Sequence, residues 1–185
     1  MRTLVIHPKD LTTEFLAPIY SNLKTKTVIK GGITKSELQK LIDVHDRIIM
    51  LGHGGPFGLM NPGQFPDAGL FIVDGSMIVS LLHRSSCIYI WCHADKFLTG
   101  YGLSGLCSGM FISEVGEAEM YGFEDIGKCQ IDHSNQEFSS ILSKYINEPL
   151  NVLYNSLMAE YEDVARVNPI AQFNFDRIFL KNCDH

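Results

Sequence analysis

Two residues that could carry out acyl-transfer chemistry follow separate apolar runs. In "RIIMLGHGG", His53 follows the run Arg47–Leu51 and precedes Gly54 and Gly55, and in "CIYIWCHADKF", Cys92 ends a second run. An imidazole beside a thiol can accept its proton and leave a thiolate, which is the nucleophile of cysteine chemistry. The two residues therefore predict a nucleophilic cysteine with a histidine base, and Cys92 is expected to be the most reactive thiol.

The elements around these residues must bring the two run ends together. Apolar runs of four to seven residues alternate with segments of helical periodicity, a pattern typical of βαβ units around a parallel sheet. The separation of 39 positions between His53 and Cys92 leaves room for a hairpin, a short helix and a neighbouring strand. Because ligands bind beyond the carboxyl ends of such strands, we expect both side chains at one edge of the sheet.

The remaining pattern predicts the elements of one α/β domain. Thr34 and Glu37 have the spacing of a capping box, which predicts the start of a helix. Strands are predicted at 3–7, 26–30, 47–51, 70–73, 87–91, 109–113 and 171–180. Helices are predicted at 12–23, 34–44 and 76–83, followed by two helices after Asp132 that are broken near Pro149. A loop rich in Gly and Pro is predicted at 56–67.

Composition excludes several classes of protein. With 185 residues, 45% of them hydrophobic, and a net charge of −6, the chain fits one soluble domain over 1–185. The absence of a Lys/Arg cluster argues against nucleic-acid binding. No apolar run approaches the ~18 residues that cross a bilayer, and "MRTLVIHPKD" is typical of a strand and turn, so we expect a cytoplasmic protein without membrane association. The five cysteines have no paired spacing and are expected to be free thiols.

Three segments in a fixed order resemble the caspase-like (clan CD) cysteine peptidases. "LGHGG" resembles their His-Gly block, and "IYIWCHA" resembles their nucleophile block, with the Cys92–His93 pair similar to that of metacaspases. Between them, "GLFIVDGSMIVSLLHRSSCIYIWC" is similar to the hairpin and short helix that precede the cysteine strand in bacterial CHAT domains. The resemblance covers residues 48–113.

This resemblance implies a three-layer α/β sandwich with a central, mostly parallel sheet flanked by helices. It implies His53 as the general base, Cys92 as the nucleophile, and the backbone amides of Gly54 and Cys92 as oxyanion donors. The implied activity is that of a cysteine endopeptidase, which cleaves a protein or peptide substrate through a thioester. No metal or organic cofactor is implied, and the sequence does not identify an activating partner.

The chain departs from the family pattern at the residues that would bind substrate. Many relatives place a polar or acidic residue two positions before the nucleophile, whereas this chain has Ile90. The nearest acidic candidates are Glu114, Glu117 and Glu119. An apolar Ile90 would leave a buried substrate cation unpaired, so we expect no simple preference for Arg or Lys. The sequence continues Cys-His-Ala-Asp instead of Cys-His-Ser-Gly, which gives no basis for calcium activation of the metacaspase kind.

Other interpretations stay open. The same fold could be a catalytically silent interaction module. "GLCSG" at 105–109 is similar to the nucleophile elbow of class I glutamine amidotransferases, with Cys107 as nucleophile, although the preceding "LTGYGLS" lacks strand character. A metal site made of His53, Cys92, His93 and Asp95 is not expected, because adjacent residues of a strand point to opposite faces. "EVGEAEMYGFED" is most simply a solvated loop.

Overall fold

The structure, a computed structural model, describes residues 1–84 and 86–182 and has nine strands and seven α-helices in those ranges. The strands are β1 (Thr3–Ile6), β2 (Lys26–Ile29), β3 (Arg47–Leu51), β4 (Gly54–Gly55), β5 (Gly58–Met60), β6 (Phe71–Val73), β7 (Ile88–Ile90), β8 (Gly105–Ser108) and β9 (Ile178–Lys181). The α-helices are α1 (Lys35–Val44), α2 (Ile78–Leu82), α3 (Ala94–Tyr101), α4 (Val115–Met120), α5 (Lys128–Lys144), α6 (Leu150–Ala165) and α7 (Pro169–Phe175). Leu11–Tyr20 and Gly75–Met77 form 3₁₀ helices.

Six strands form the central sheet, in the order β2-β1-β3-β7-β8-β9. All neighbouring pairs are parallel except β8 and β9. Strands β3 and β7 are direct neighbours, with Leu51 opposite Ile90, and the Gly52 N–H donates to the Ile90 carbonyl at 3.1 Å. The carboxyl ends of β3 and β7 therefore leave the sheet side by side, as the positions of His53 and Cys92 require.

Strands β1, β3 and β7 are buried at every position and mostly apolar because both faces of the sheet are covered. Ile48 and Met50 belong to one core cluster, which includes residues of α1, α2 and α3. Ile49 and Leu51 belong to a second cluster, which includes residues of the 3₁₀ helix Leu11–Tyr20, α5 and α6. The prediction of an α/β fold with a mostly parallel sheet and flanking helices is confirmed at this level. No helix in the described ranges combines the length and apolar character needed to cross a bilayer.

Strong local signals gave correct elements. The strands predicted at 3–7, 26–30, 47–51 and 87–91 correspond to β1, β2, β3 and β7. Helix α1 begins at the predicted capping box: the Glu37 N–H donates to Thr34 Oγ1 at 3.2 Å, and the Thr34 N–H donates to Glu37 Oε2 at 2.8 Å. The helix predicted at 12–23 is present as the 3₁₀ helix Leu11–Tyr20.

The strand predicted at 109–113 is wrong, because the strand lies one segment earlier, in β8. Gly105 begins β8 with a φ of +148°, and a Cβ there would lie 2.5 Å from the Cys87 carbonyl oxygen. The backbone of β8 therefore approaches the start of β7 so closely that residue 105 must be a glycine. Glycine is a residue with low strand propensity. The glycine-rich sequence before Cys107 hid a buried strand for this reason.

The strand predicted at 171–180 is also wrong over its first half, which forms α7. Asn168 caps this helix by accepting from the N–H groups of Ile170 and Ala171, and Pro169 occupies its first turn. Both residue types are favoured at these positions. Helix α4 likewise replaces the solvated loop predicted for the acidic segment 114–125 over part of its length.

Candidate functional site

His53 lies just beyond the end of β3, where its ring is half-buried. Its Nε2 lies 2.6 Å from Thr12 Oγ1, and the Thr12 hydroxyl donates to Asp10 Oδ1 at 2.7 Å. Asp10 and Thr12 follow β1, the neighbour of β3 on the other side from β7. Sequence reasoning missed both residues, because 41 positions separate Thr12 from His53 and only the strand order brings them together.

Cys92 lies beyond the end of β7, at a sharp turn into α3. His93 has a φ of 65° and is the only non-glycine residue with positive φ in residues 1–84 and 86–182. Such a conformation costs about 1–3 kcal/mol and is often found at functional sites. The N–H groups on either side are bonded, Trp91 to Ser108 Oγ and His93 to the Gly109 carbonyl. Over the same described ranges, the Cys92 N–H has no hydrogen-bond acceptor.

His53 and Cys92 line the same narrow gap, which has a volume of about 20 Å³. Gly52 and His53 also line a cavity of about 230 Å³ that includes Asp10. Phe15 and Ser113, which line the gap, also line a cavity of about 520 Å³. The gap that holds the thiol and the imidazole therefore adjoins two cavities large enough for side chains.

The Cys92 thiol is neutral in this resting arrangement. Its Sγ donates to the Phe111 carbonyl at 3.5 Å, and burial raises the pKa of the thiol to about 11. Among the hydrogen bonds of the described residues, none joins the His53 ring to this sulfur. The two groups share a gap without forming an ion pair, an arrangement that can tighten when substrate binds.

The backbone after His53 has an amide that β5 does not use. The Met60 N–H donates to the His53 carbonyl at 2.8 Å. Opposite pairs of an antiparallel ladder alternate between bonded and non-bonded, so the next pair, Gly54 and Leu59, is non-bonded and the Gly54 N–H is directed away from β5. Trp91 Nε1 donates to the Gly55 carbonyl at 3.1 Å and ties this hairpin to the end of β7. The described residues thus supply no acceptor for the N–H groups of Gly54 and Cys92, the two predicted oxyanion donors.

The predicted substrate-binding residues lie in different surroundings. Ile90 is 2% exposed and packs in the second core cluster at the edge of the gap. Glu114 lines the 520 Å³ cavity. Glu117 Oε2 accepts from the Ser113 N–H at 2.7 Å and from the Glu114 N–H at 3.2 Å, which commits it to capping α4. Glu119 is exposed on α4 and does not line the cavity.

Four residues of α5 that the sequence did not single out also line the 520 Å³ cavity: Lys128, Ile131, Asp132 and Asn135. Asp132 forms an ion pair with Lys128 at 2.6 Å, and Asn135 Nδ2 donates to the Ser113 carbonyl at 3.0 Å. Helical periodicity identifies the helix but not the loop against which it packs. No local signal in the sequence could therefore have assigned these residues to the site.

The sequence also raised two alternative sites, with Cys107 as the nucleophile or with a metal ion bound by four residues. Cys107 is fully buried in β8, where burial raises the pKa of its thiol to about 12. It is therefore not an exposed elbow nucleophile. Within the described ranges, no group of three or more His, Cys, Asp or Glu side chains could hold a metal ion, and this includes His53, Cys92, His93 and Asp95.

A scan with protein-family models finds no match to this chain, and neither does a search of the curated proteins.

We expect iodoacetamide at pH 7 to alkylate Cys129 before Cys92, the reverse of the order expected from the sequence. Cys129 is exposed on α5, whereas Cys92 is half-buried with a thiol pKa of about 11. Below that pKa the thiolate fraction of Cys92, and with it the alkylation rate, should rise about tenfold per pH unit. Mass-spectrometric mapping between pH 7 and 10 measures both rates. A Cys92 rate that levels off near pH 8 would instead show a thiolate already formed at neutral pH.

Proposed function

We propose that this protein is a cysteine endopeptidase of caspase-like fold, with His53 as general base and Cys92 as nucleophile. The observation that carries the proposal is that both residues follow hydrogen-bonded neighbour strands and line one gap that adjoins two cavities. The sheet of six strands with apolar layers on both faces is compatible with the three-layer sandwich that the motifs imply.

In the proposed reaction, a peptide carbonyl lies over the gap. His53 takes the proton of Cys92, the sulfur attacks the carbonyl carbon, and the oxyanion accepts hydrogen bonds from the N–H groups of Gly54 and Cys92. The C–N bond then breaks, the amine leaves with the proton from His53, and a thioester remains. Water, deprotonated by His53, attacks the thioester and restores the thiol with release of the acid. None of these steps requires a metal or an organic cofactor.

The substrate in this proposal is a cytoplasmic protein or peptide. The cavities of about 230 and 520 Å³ that adjoin the gap could each hold a side chain, one from the amine side and one from the acyl side of the cut bond. A small free amide such as glutamine would fill only one of them. The neutral resting thiol also fits a site that becomes active when a substrate brings the imidazole and the sulfur together.

A peptidyl acyloxymethylketone tests the proposal directly. Such a reagent resembles an acyl substrate, so it should modify Cys92 in preference to the exposed Cys129, opposite to the expectation for iodoacetamide at pH 7. Peptide mapping by mass spectrometry identifies the modified residue, and digestion of a peptide library shows whether bonds are cut. A protein that captures no reagent at Cys92 and cuts no peptide would favour the catalytically silent interaction module.

We expect at most a weak preference for Arg or Lys on the acyl side of the cut. Ile90 offers no charge, and of the two carboxylates that line the 520 Å³ cavity, Asp132 is paired with Lys128. The other, Glu114, is exposed, so its attraction for a cation is worth at most about 1 kcal/mol, or about fivefold in selectivity. Glu114→Gln should remove that preference in assays with fluorogenic peptides. Glu119→Gln is the matched control, because Glu119 does not line the cavity. Strong selection for Arg or Lys that survives Glu114→Gln would sink this expectation.

A further inference from the structure

Beyond the two residues assigned to the reaction, we propose that Asp10 and Thr12 are positioning residues that hold His53 with its proton on Nε2 and its Nδ1 free to take the proton of Cys92. This inference deepens the proposed function and rests on it for its catalytic meaning. The arrangement itself, a carboxylate, a hydroxyl and an imidazole in series, is a property of the resting protein.

The tautomer follows from counting protons along the series. Asp10 Oδ1 accepts from the Thr12 hydroxyl at 2.7 Å and from the Thr12 N–H at 2.9 Å. These two bonds hold the pKa of the Asp10 carboxyl below its ordinary value, so at neutral pH it is ionised and can only accept. The single hydroxyl proton of Thr12 therefore points at Asp10. The 2.6 Å bond between Thr12 Oγ1 and His53 then needs a proton from Nε2.

The same series stabilises the charge that develops during the reaction. When His53 takes a proton on Nδ1, the ring becomes a cation with Nε2–H directed at Thr12 and, beyond it, at the Asp10 carboxylate. A carboxylate behind a histidine base fixes its tautomer and stabilises its imidazolium. Along the gap and the 230 Å³ cavity, Asp10 and Cys92 are the only other titratable side chains among the described residues. Asp10 is therefore the one charged carboxylate that lines these two spaces with the ring.

The segment that carries the positioning residues is held rigidly. Asp10 caps the 3₁₀ helix Leu11–Tyr20. His7, at the end of β1, is buried and lies 3.1 Å from both the Tyr20 hydroxyl and the Thr13 carbonyl. Burial lowers the pKa of His7 to about 4, so its ring stays neutral at neutral pH. A hydroxyl on so restrained a segment can orient a ring on the neighbouring strand end.

Nitrogen-15 NMR of histidine-labelled protein tests the tautomer without any turnover. Wild type and Thr12→Ser should show His53 protonated at Nε2, whereas Thr12→Val, which has no hydroxyl, should show a mixture of tautomers. The His53 signal is identified by its loss in His53→Ala. A wild-type ring protonated at Nδ1, or a Thr12→Val spectrum identical to wild type, would overturn the proposal. Because this measurement needs no substrate, its result stands apart from the success or failure of the peptidase assignment.

Kinetics test the catalytic meaning. Thr12→Val should lower kcat about tenfold with little change in KM, and Thr12→Ser should restore it. Asp10→Asn keeps a residue type that can cap the helix but removes the charge. It should lower kcat as Thr12→Val does, because the charge that develops on His53 then lacks the carboxylate beyond Thr12. A kcat that stays at the wild-type value in Asp10→Asn would show that the carboxylate does not act on His53.

Discussion

Peptide hydrolysis by Cys92→Ala or His53→Ala is expected to fall by at least about 10³-fold in kcat/KM, because each change removes a group that makes or breaks a bond in the proposed reaction. Both side chains line the gap, and neither belongs to the packed core. The Cys92 sulfur makes one side-chain hydrogen bond, to the Phe111 carbonyl, and the His53 ring makes one, to Thr12, among the described residues. Thermal unfolding should therefore change little in either variant.

The double variant gives the sharper result. If the thiol and the imidazole act in one step, Cys92→Ala with His53→Ala should be about as inactive as either single variant. Fluorogenic peptide assays of the four proteins measure this. Cys129→Ala is the matched control, because Cys129 is exposed on α5, outside the cleft, and should keep full activity. Losses that multiply, so that the double variant falls about 10⁶-fold, would contradict a shared step.

Parts of the fold could be predicted because their causes are local. A strand covered on both faces is apolar along most of its length, which made β1, β3 and β7 visible as apolar runs. The capping box of α1 is likewise written in four consecutive residues. His53 and Cys92 could be singled out because each directly follows such a run, so the strand ends located them without knowledge of the sheet order.

Other features depend on contacts between distant segments. Thr12 reaches His53 only because β1 pairs with β3. Asp132 lines the 520 Å³ cavity only because α5 packs near the loop after β8. The neutral thiol of Cys92 depends on burial, which no spacing of residues reveals. The strand β8 was missed because Gly105 is required by the close approach of Cys87, against its local propensity. In each case the tertiary contact, and not the local sequence, decides the outcome.

The second large effect is expected at Gly54. A Cβ at this position would lie 2.2 Å from Trp91 Cδ1 and 2.6 Å from the Gly58 carbonyl oxygen, so Gly54→Ala must displace the hairpin from the end of β7. The displacement moves the Gly54 N–H away from the oxyanion, and the loss of one such donor costs about 10²–10³-fold in kcat. Overpacking should also lower the free energy of unfolding by about 1–3 kcal/mol.

Gly55 provides the matched control for this change. It is the next residue of the same short strand, yet a Cβ there meets nothing within 4 Å, and its φ is not positive. Gly55→Ala should therefore keep kcat near the wild-type value. Steady-state kinetics and thermal unfolding of both variants separate the two effects, since a pure stability loss in Gly54→Ala would lower the melting temperature but leave kcat per folded molecule unchanged. Unchanged kcat in folded Gly54→Ala would show that the Gly54 amide takes no part in the reaction. An equal loss of kcat in Gly55→Ala would also contradict the assignment, because a Cβ at Gly55 causes no clash that could displace the hairpin.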